Sequence, residues 1–151
     1  MTTLGVVVAE FNRPITEQME REALETARAA GAEVARTVQV PGVYDAPLAA
    51  DRLARREAVD AVVVIGAVIT GDTDHDQVIT DATAQRLSDV GLERDTPVTL
   101  GVTGPGMSAA EARERVENAA KAVDGALDLV AELPDADPHS DTDSQLDTNS
   151  E

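Results

Sequence analysis

Apolar runs without alternation stand at Leu4–Ala9 and Ala61–Ala67, the pattern of strands buried on both faces and hence of a parallel sheet. Shorter stretches rich in β-branched residues at Glu33–Val40 and Pro97–Val102 bring the predicted strands to four. Between them the apolar period lengthens to about 3.6 residues, and each such segment is long enough to cross over a sheet. Helices are predicted over Thr16–Ala30, stopped by Gly31, and over Ala46–Glu57, with Leu48, Ala49 and Leu53 on one stripe. A third is predicted over Asp74–Val90, with Val78, Ile79, Ala82 and Leu87 turned inward before Gly91, and a fourth from Ser108 to about Leu133. The last opens on Ser108-Ala-Ala-Glu111, a capping box in which each side chain satisfies the other residue's free backbone amide.

The order βαβαβαβα, with right-handed crossovers on both faces, predicts an α/β fold: a flavodoxin-like three-layer α/β/α sandwich around a four-stranded parallel sheet of order 2-1-3-4. Such a fold carries its site at the carboxyl ends of the strands. Residues 1–133 are expected to form that domain. Residues 134–151 contain six acidic residues, no basic one and a single Leu, too little apolar surface to order themselves, and are expected to be a solvated, disordered tail.

Composition narrows the function classes. The 151 residues carry 29 acidic against 12 basic side chains, a formal charge of −17, which disfavours nucleic acid and anionic lipid surfaces as partners. Zero Cys excludes a disulfide framework, and two His cannot by themselves build a structural zinc site. No run approaches the roughly 18 apolar residues of a membrane helix, and the N-terminus lacks a secretory pattern, so a cytoplasmic location is expected. Lys121 is the sole Lys beside eleven Arg, a balance that fits a protein kept soluble in concentrated salt; a merely acidic mesophile is the competing reading.

The single Phe, the single Tyr and the only His outside the tail all fall in loops after strands, where they contribute little to a core. Phe11 and Tyr44, after neighbouring strands, either form a platform for a flat ring or cap one end of the sandwich. Asp45 can bond ligand hydroxyls, cap the helix at Ala46, or do both. In Thr70-Gly71-Asp72-Thr73-Asp74-His75, free amides at a helix start with a Thr hydroxyl suit a phosphate, though the run also reads as an ordinary loop and cap. Asp72 and Asp74 would repel an anion unless a cation is near. Arg115 is the candidate, with a surface pairing to Glu111 or Glu117 as its alternative. His75, in the first helical turn, is placed either as a proton shuttle or as a solvated loop residue. A phosphoacceptor receiver needs an acidic pair after the first strand, an Asp after the third and a Lys after the last, against Glu10, Gly66-Ala67 and no Lys here. A flavin mononucleotide carrier needs a hydroxyl-rich loop where Phe11-Asn12-Arg13-Pro14 stands. No Gly-x-Gly-x-x-Gly, Walker or Gly-x-Ser-x-Gly motif occurs.

Taken in order, Ala9-Glu-Phe-Asn-Arg-Pro-Ile-Thr16, Val40-Pro-Gly-Val-Tyr-Asp-Ala-Pro47, Gly66-Ala-Val-Ile-Thr-Gly-Asp-Thr-Asp-His75 and Gly101-Val-Thr-Gly-Pro-Gly-Met107 with Glu114-Arg115 resemble lumazine synthases, especially the archaeal branch, from Leu4 to Leu133. The resemblance implies condensation of 5-amino-6-ribitylaminouracil with 3,4-dihydroxy-2-butanone 4-phosphate to 6,7-dimethyl-8-ribityllumazine in riboflavin biosynthesis, with no cofactor or metal. It implies that Phe11 stacks on the pyrimidine, that Val43, Tyr44 and Asp45 line the ribityl pocket, and that Ala67, Val68 and Ile69 offer backbone groups to the ring. Gly71, Asp72 and Thr73 would cradle the phosphate with Arg115, while His75 moves protons. Leu100 and Arg115 would come from a neighbouring subunit, implying a homo-oligomer, a pentamer or larger shell, with sites between subunits. Departures from the family pattern include Tyr44, Asp45, Thr70, Asp72 and Leu100, where Phe, Glu, Arg or Glu, Glu or Ala, and Phe are common. A noncatalytic lumazine- or flavin-binding protein and archaeal riboflavin synthase are the alternatives. The His75–Arg115 pair argues against the first, and the Gly-Asp-Thr-Asp-His run against the second.

Overall fold

In the computed structural model, which describes residues 1–69 and 75–134, the chain forms β1 (Thr3–Ala9), α1 (Arg13–Ala29), β2 (Glu33–Val40), a 3-10 turn at Val43–Asp45, α2 (Ala46–Ala54) and β3 (Ala61–Ile69). It continues with α3 (His75–Arg94), β4 (Val98–Met107), α4 (Ala109–Arg113) and α5 (Asn118–Glu132). The strands make one parallel four-stranded sheet of order β2-β1-β3-β4, as the sequence predicts. The expected tail, residues 135–151, lies outside the described residues.

Successive valines supply both faces of the central strands. Leu4, Val6 and Val8 of β1 with Ala61, Val63 and Ile65 of β3 meet α1 and α5. Val7, Val62 and Val64 meet α2 and α3 instead. Burying each valine side chain contributes about 1.5–3 kcal/mol, so the sheet is held without aromatic area. Gly31, at φ 79, ends α1 in a Schellman arrangement: its N–H donates to the Arg28 carbonyl and that of Ala32 to the Ala27 carbonyl, at 3.0 and 2.9 Å.

Several expected boundaries and stripes are corrected. The α1 helix starts at Arg13, three residues early, because Pro14 fits a first helical turn and Asn12 turns the chain at φ 66. The α2 helix ends at Ala54 rather than Glu57, where Val59 folds back into the core and its N–H bonds the Arg56 carbonyl. Its buried residues are Ala46, Ala50, Leu53 and Ala54, leaving Leu48 exposed. The α3 helix runs past Gly91, whose missing side chain admits the Thr96 carbonyl 3.2 Å from where a Cβ would stand. It buries Thr83, Leu87 and Val90, while the expected inward residues Val78, Ile79 and Ala82 are exposed. The β4 strand continues to Met107 through Gly104-Pro105-Gly106, read from sequence as a loop, because Gly104 takes φ 95, which glycine allows, and pairing resumes at Ile69↔Met107. The single last helix is two, α4 and α5, separated by a turn over 114–117.

Candidate active site

Beyond the ends of β1 and β2 the two loops stay zipped together. The Glu10 and Phe11 amides donate to the carbonyls of Val40 and Pro41 at 2.8 and 3.0 Å. Asn12, in the left-handed conformation that Asn tolerates, donates its side-chain amide to the Ala67 carbonyl on β3 at 3.0 Å. These bonds place Phe11 so that its ring lies against Gly42, where a Cβ would stand 2.9 Å from the ring edge and force the ring to move. Phe11 nevertheless remains 68% exposed, and so does Tyr44. A buried Phe would add about 1.5–3 kcal/mol to the fold, and this chain leaves its only one at the mouth.

The turn carrying Tyr44 is built from two close approaches. Val43 is buried with its methyl against Gly66 of β3, leaving no space there for a side chain. The Asp45 carboxylate accepts the Gly42 N–H at 3.0 Å. It makes no cap bond to α2, so the expected side-chain cap is absent and the carboxylate closes the preceding turn instead.

At the end of β3, Ala67 is buried and its carbonyl holds Asn12; Val68 and Ile69 are half-buried. Gly104 packs onto the Val68 carbonyl so closely that any Cβ would collide with it. Gly71, Asp72 and Thr73, with Thr70 and Asp74, lie outside the described residues. His75 opens α3 with an exposed side chain.

Leu100 and Arg115 sit elsewhere, on the β4 edge. Leu100 pairs with Val64 in mid-strand and is 45% exposed on the outer side. Arg115 lies on the exposed turn between α4 and α5. That turn hangs from buried Thr103, whose hydroxyl donates to the Arg115 carbonyl and accepts from the Asn118 side chain, each at 3.5 Å. The predicted capping box is present, with Ser108 N–H on the Glu111 carboxylate at 2.9 Å and Glu111 N–H on the Ser108 hydroxyl at 3.1 Å. The Ser108 amide holds the Glu111 carboxyl below its ordinary range, and the Arg115 charge acts more weakly in the same sense. Among the described residues, no carboxylate lies within 4.0 Å of the Arg115 guanidinium.

The structure therefore brings Phe11, Val43, Tyr44 and Asp45 together beside Ala67, Val68 and Ile69. It sets Leu100 and Arg115 at the other edge of the same sheet. Sequence reasoning missed Asn12, Thr103 and Asn118 as positioning residues; an Asn between a strand end and a helix-opening Arg-Pro was the available signal for the first. A cleft of about 480 Å³ between Gly91, Pro97 and Leu133 lies at the opposite end of the sheet, so concavity alone does not mark this mouth. Among the described residues, no group of three or more His, Asp or Glu is placed to hold a metal, and no helix is long and apolar enough to cross a membrane.

Residues 1–133 match the family model described as 6,7-dimethyl-8-ribityllumazine synthase. A protein of that name from Halobacterium salinarum is 66% identical over 133 residues, covering 88% of this chain and 100% of its own. Its namesakes from Halorubrum lacusprofundi and Methanocaldococcus jannaschii are 59% and 47% identical over 133 residues, covering 88% of this chain and 99% and 94% of theirs.

Proposed function

The chain belongs to the 6,7-dimethyl-8-ribityllumazine synthase family, a transferase family of riboflavin biosynthesis, and from that premise we propose how its residues divide the reaction. The enzyme condenses 5-amino-6-(D-ribitylamino)uracil with 3,4-dihydroxy-2-butanone 4-phosphate. The free amine attacks the ketone and water leaves, phosphate is eliminated, and the ribityl-bearing nitrogen closes the ring with loss of a second water. Phe11 stacks on the pyrimidine, Val43, Tyr44 and Asp45 line the ribityl chain, and the backbone at Ala67, Val68 and Ile69 borders the ring. Gly71, Asp72, Thr73 and Arg115 take the phosphate, and His75 carries protons between steps. The observation that carries this division is the Phe11 ring, held over Gly42 yet left open at the mouth. Amine and ketone react on contact, so positioning supplies most of the acceleration and His75 a smaller part.

We place each site between two copies of the chain, with Leu100 and Arg115 supplied by the neighbour in a pentamer or larger shell. Support comes from the outward exposure of Leu100, Val78 and Ile79 and from the position of Arg115 on the edge away from Phe11. The catalytic unit is residues 1–133, with 134–151 appended to it, acting in the cytoplasm of a salt-adapted cell. The charge of −17 and the Halobacterium and Halorubrum relatives support that setting.

The test is a coupled incubation of the full chain with both substrates in high salt, following lumazine absorbance against the spontaneous reaction. Arg115→Ala is expected to lose activity mainly through a raised KM for the phosphate substrate, and His75→Ala to be slowed but active. Full activity of Arg115→Ala would remove that residue from the site. A folded wild-type chain no faster than background would overturn the catalytic reading.

A further inference from the structure

We propose that the acidic segment Asp141–Asp147 of the chain's own tail docks in an arginine-lined groove on α2, with Leu146 on the groove's apolar floor. The groove has a volume of about 380 Å³, and Arg36, Arg52 and Arg56 stand around Val38, Leu48 and Leu53 with no acidic residue in its lining. In a chain with 29 acidic and 12 basic residues, three cations converging without a carboxylate is a local reversal of sign. Among the described residues, none of the three arginine side chains makes an ion pair or hydrogen bond, whereas Arg13, Arg55, Arg86 and Arg94 each have an acidic partner. Leu48 is 60% exposed on the helix face where the sequence pattern expects burial.

The occupant is argued from charge, composition and reach. Asp141, Asp143 and Asp147 flank Leu146, so the segment offers three anions around one large apolar side chain to a groove with three cations around an apolar floor. The described chain ends at Pro134, which with Leu133 lines the cleft also bordered by Gly91 and Leu92 near the end of α3. Three residues past Gly91, Arg94 bonds Asp51 at 2.7 Å on the flank of α2 that faces α3, whereas the groove lies on the flank that faces β2, so the tail has to pass α2 to reach it. The 12 residues from Pro134 to Leu146 span up to about 40 Å when extended, and the whole sheet is only about 14 Å wide between its outer strands. Tethering at this length raises the effective concentration to the millimolar range, where individually weak surface ion pairs suffice. The Halobacterium relative is matched over its entire length by 133 residues of this chain, leaving it no counterpart to the tail. The inference is independent of the substrate assignment.

The absence of cysteine makes the test clean. Ser144→Cys in the full chain, labelled with a benzophenone maleimide, is illuminated at the lowest salt that keeps the chain folded. Cleavage after glutamate then releases residues 34–57, the whole groove, as one peptide. Most of the linked product is expected in that peptide, falling at least fivefold in Arg36→Gln/Arg52→Gln/Arg56→Gln and in Asp141→Asn/Asp143→Asn/Asp147→Asn. The second variant changes nothing in residues 1–134 and carries the test if the first does not fold. Links spread over other peptides, or undiminished in the tail variant, overturn the proposal. Links joining normal to isotopically heavy chains in a co-refolded mixture overturn the own-chain assignment in favour of a second copy.

Discussion

On one face of the sheet, α5 lies so close to β4 that a Cβ on Gly101 would stand 3.1 Å from the Cα of Ala119 and the Cβ of Ala122. On the other face, α3 spends twenty residues to bury Thr83, Leu87 and Val90, and leaves Val78, Ile79 and Leu92 in the open; Leu100 of β4 is exposed as well. Both layers draw on small aliphatics, but α5 is fitted to the backbone of its own chain, whereas residues 75–82 at the start of α3 bury no side chain in it. A helix packed on glycine and alanine tolerates no added volume, whereas a helix with an unused apolar stripe tolerates change as a monomer and exposes what a neighbour would cover. The proposed assembly rests on that contrast, and four variants probe it.

Gly101→Val should be the most damaging. Its new carbons have no direction to go except into Ala119, Ala122 and the Asn118 carbonyl, so overpacking is expected to cost about 2–3 kcal/mol in a urea denaturation. An unchanged midpoint would mean that α5 floats on β4 as loosely as α3 does.

Asp51→Asn tests the polar tie that joins α3 to α2 beside their apolar contact. Arg94 forms a two-point contact with Asp51 at 2.7 and 3.3 Å, and Arg55 adds a second at 2.8 Å. The Arg94 bond holds the Asp51 carboxyl below its ordinary range. A depressed carboxyl stabilises the fold above its unfolded value, near pH 4, and the contribution is lost as pH falls through the folded value. The variant is expected to be less stable than wild type by about 1 kcal/mol at pH 7 in low salt, and the gap should close in acid as the Asp51 carboxyl is protonated in the folded state. A gap that persists in acid would show that the loss is not electrostatic.

These two sites also show what could be read from the sequence. Strands covered on both sides leave continuous apolar runs, so β1 and β3 and the sheet order were legible in Leu4–Ala9 and Ala61–Ala67. Periodicity reports an apolar stripe but not what covers it, so Val78, Ile79 and Leu48 were assigned to a core that does not contain them. The break between α4 and α5 was hidden because residues 109–117 are nearly all compatible with helix, and the carbonyl bond that suspends the turn comes from Thr103 on another element. Gly104-Pro105-Gly106 misled in the opposite sense, since turn residues here serve a strand irregularity under Val68. Of the candidate site, Phe11 and Tyr44 stood out because they fit no stripe, whereas Asn12 acts through a long-range bond to Ala67 that no local pattern announces.

Thr83→Val should improve the looser layer. The Thr83 hydroxyl is buried under α3 with no hydrogen-bond partner among the described residues, and a buried hydroxyl without a partner carries its desolvation cost uncompensated. Replacing it with a methyl of similar size in another β-branched residue is expected to raise stability by about 0.5–1 kcal/mol, read as a higher urea midpoint with an unchanged slope. A lower midpoint would mean that the hydroxyl has a partner after all, and that α3 is better fitted than its exposed half suggests.

Val78→Ser/Ile79→Ser should move the stability of the isolated chain least, by less than about 0.5 kcal/mol, because neither side chain is buried within it. Its signature lies in the concentration dependence. If a neighbour covers this stripe, the wild-type melting temperature rises with protein concentration, since assembly stabilises the folded form by mass action. The double variant loses that slope and sediments as a smaller species, and it loses turnover in proportion, because the proposed site needs Arg115 from the next copy. The same variant sedimenting and turning over like wild type would show that the open half of α3 is not where copies meet, and the asymmetry between the two layers would then need another explanation.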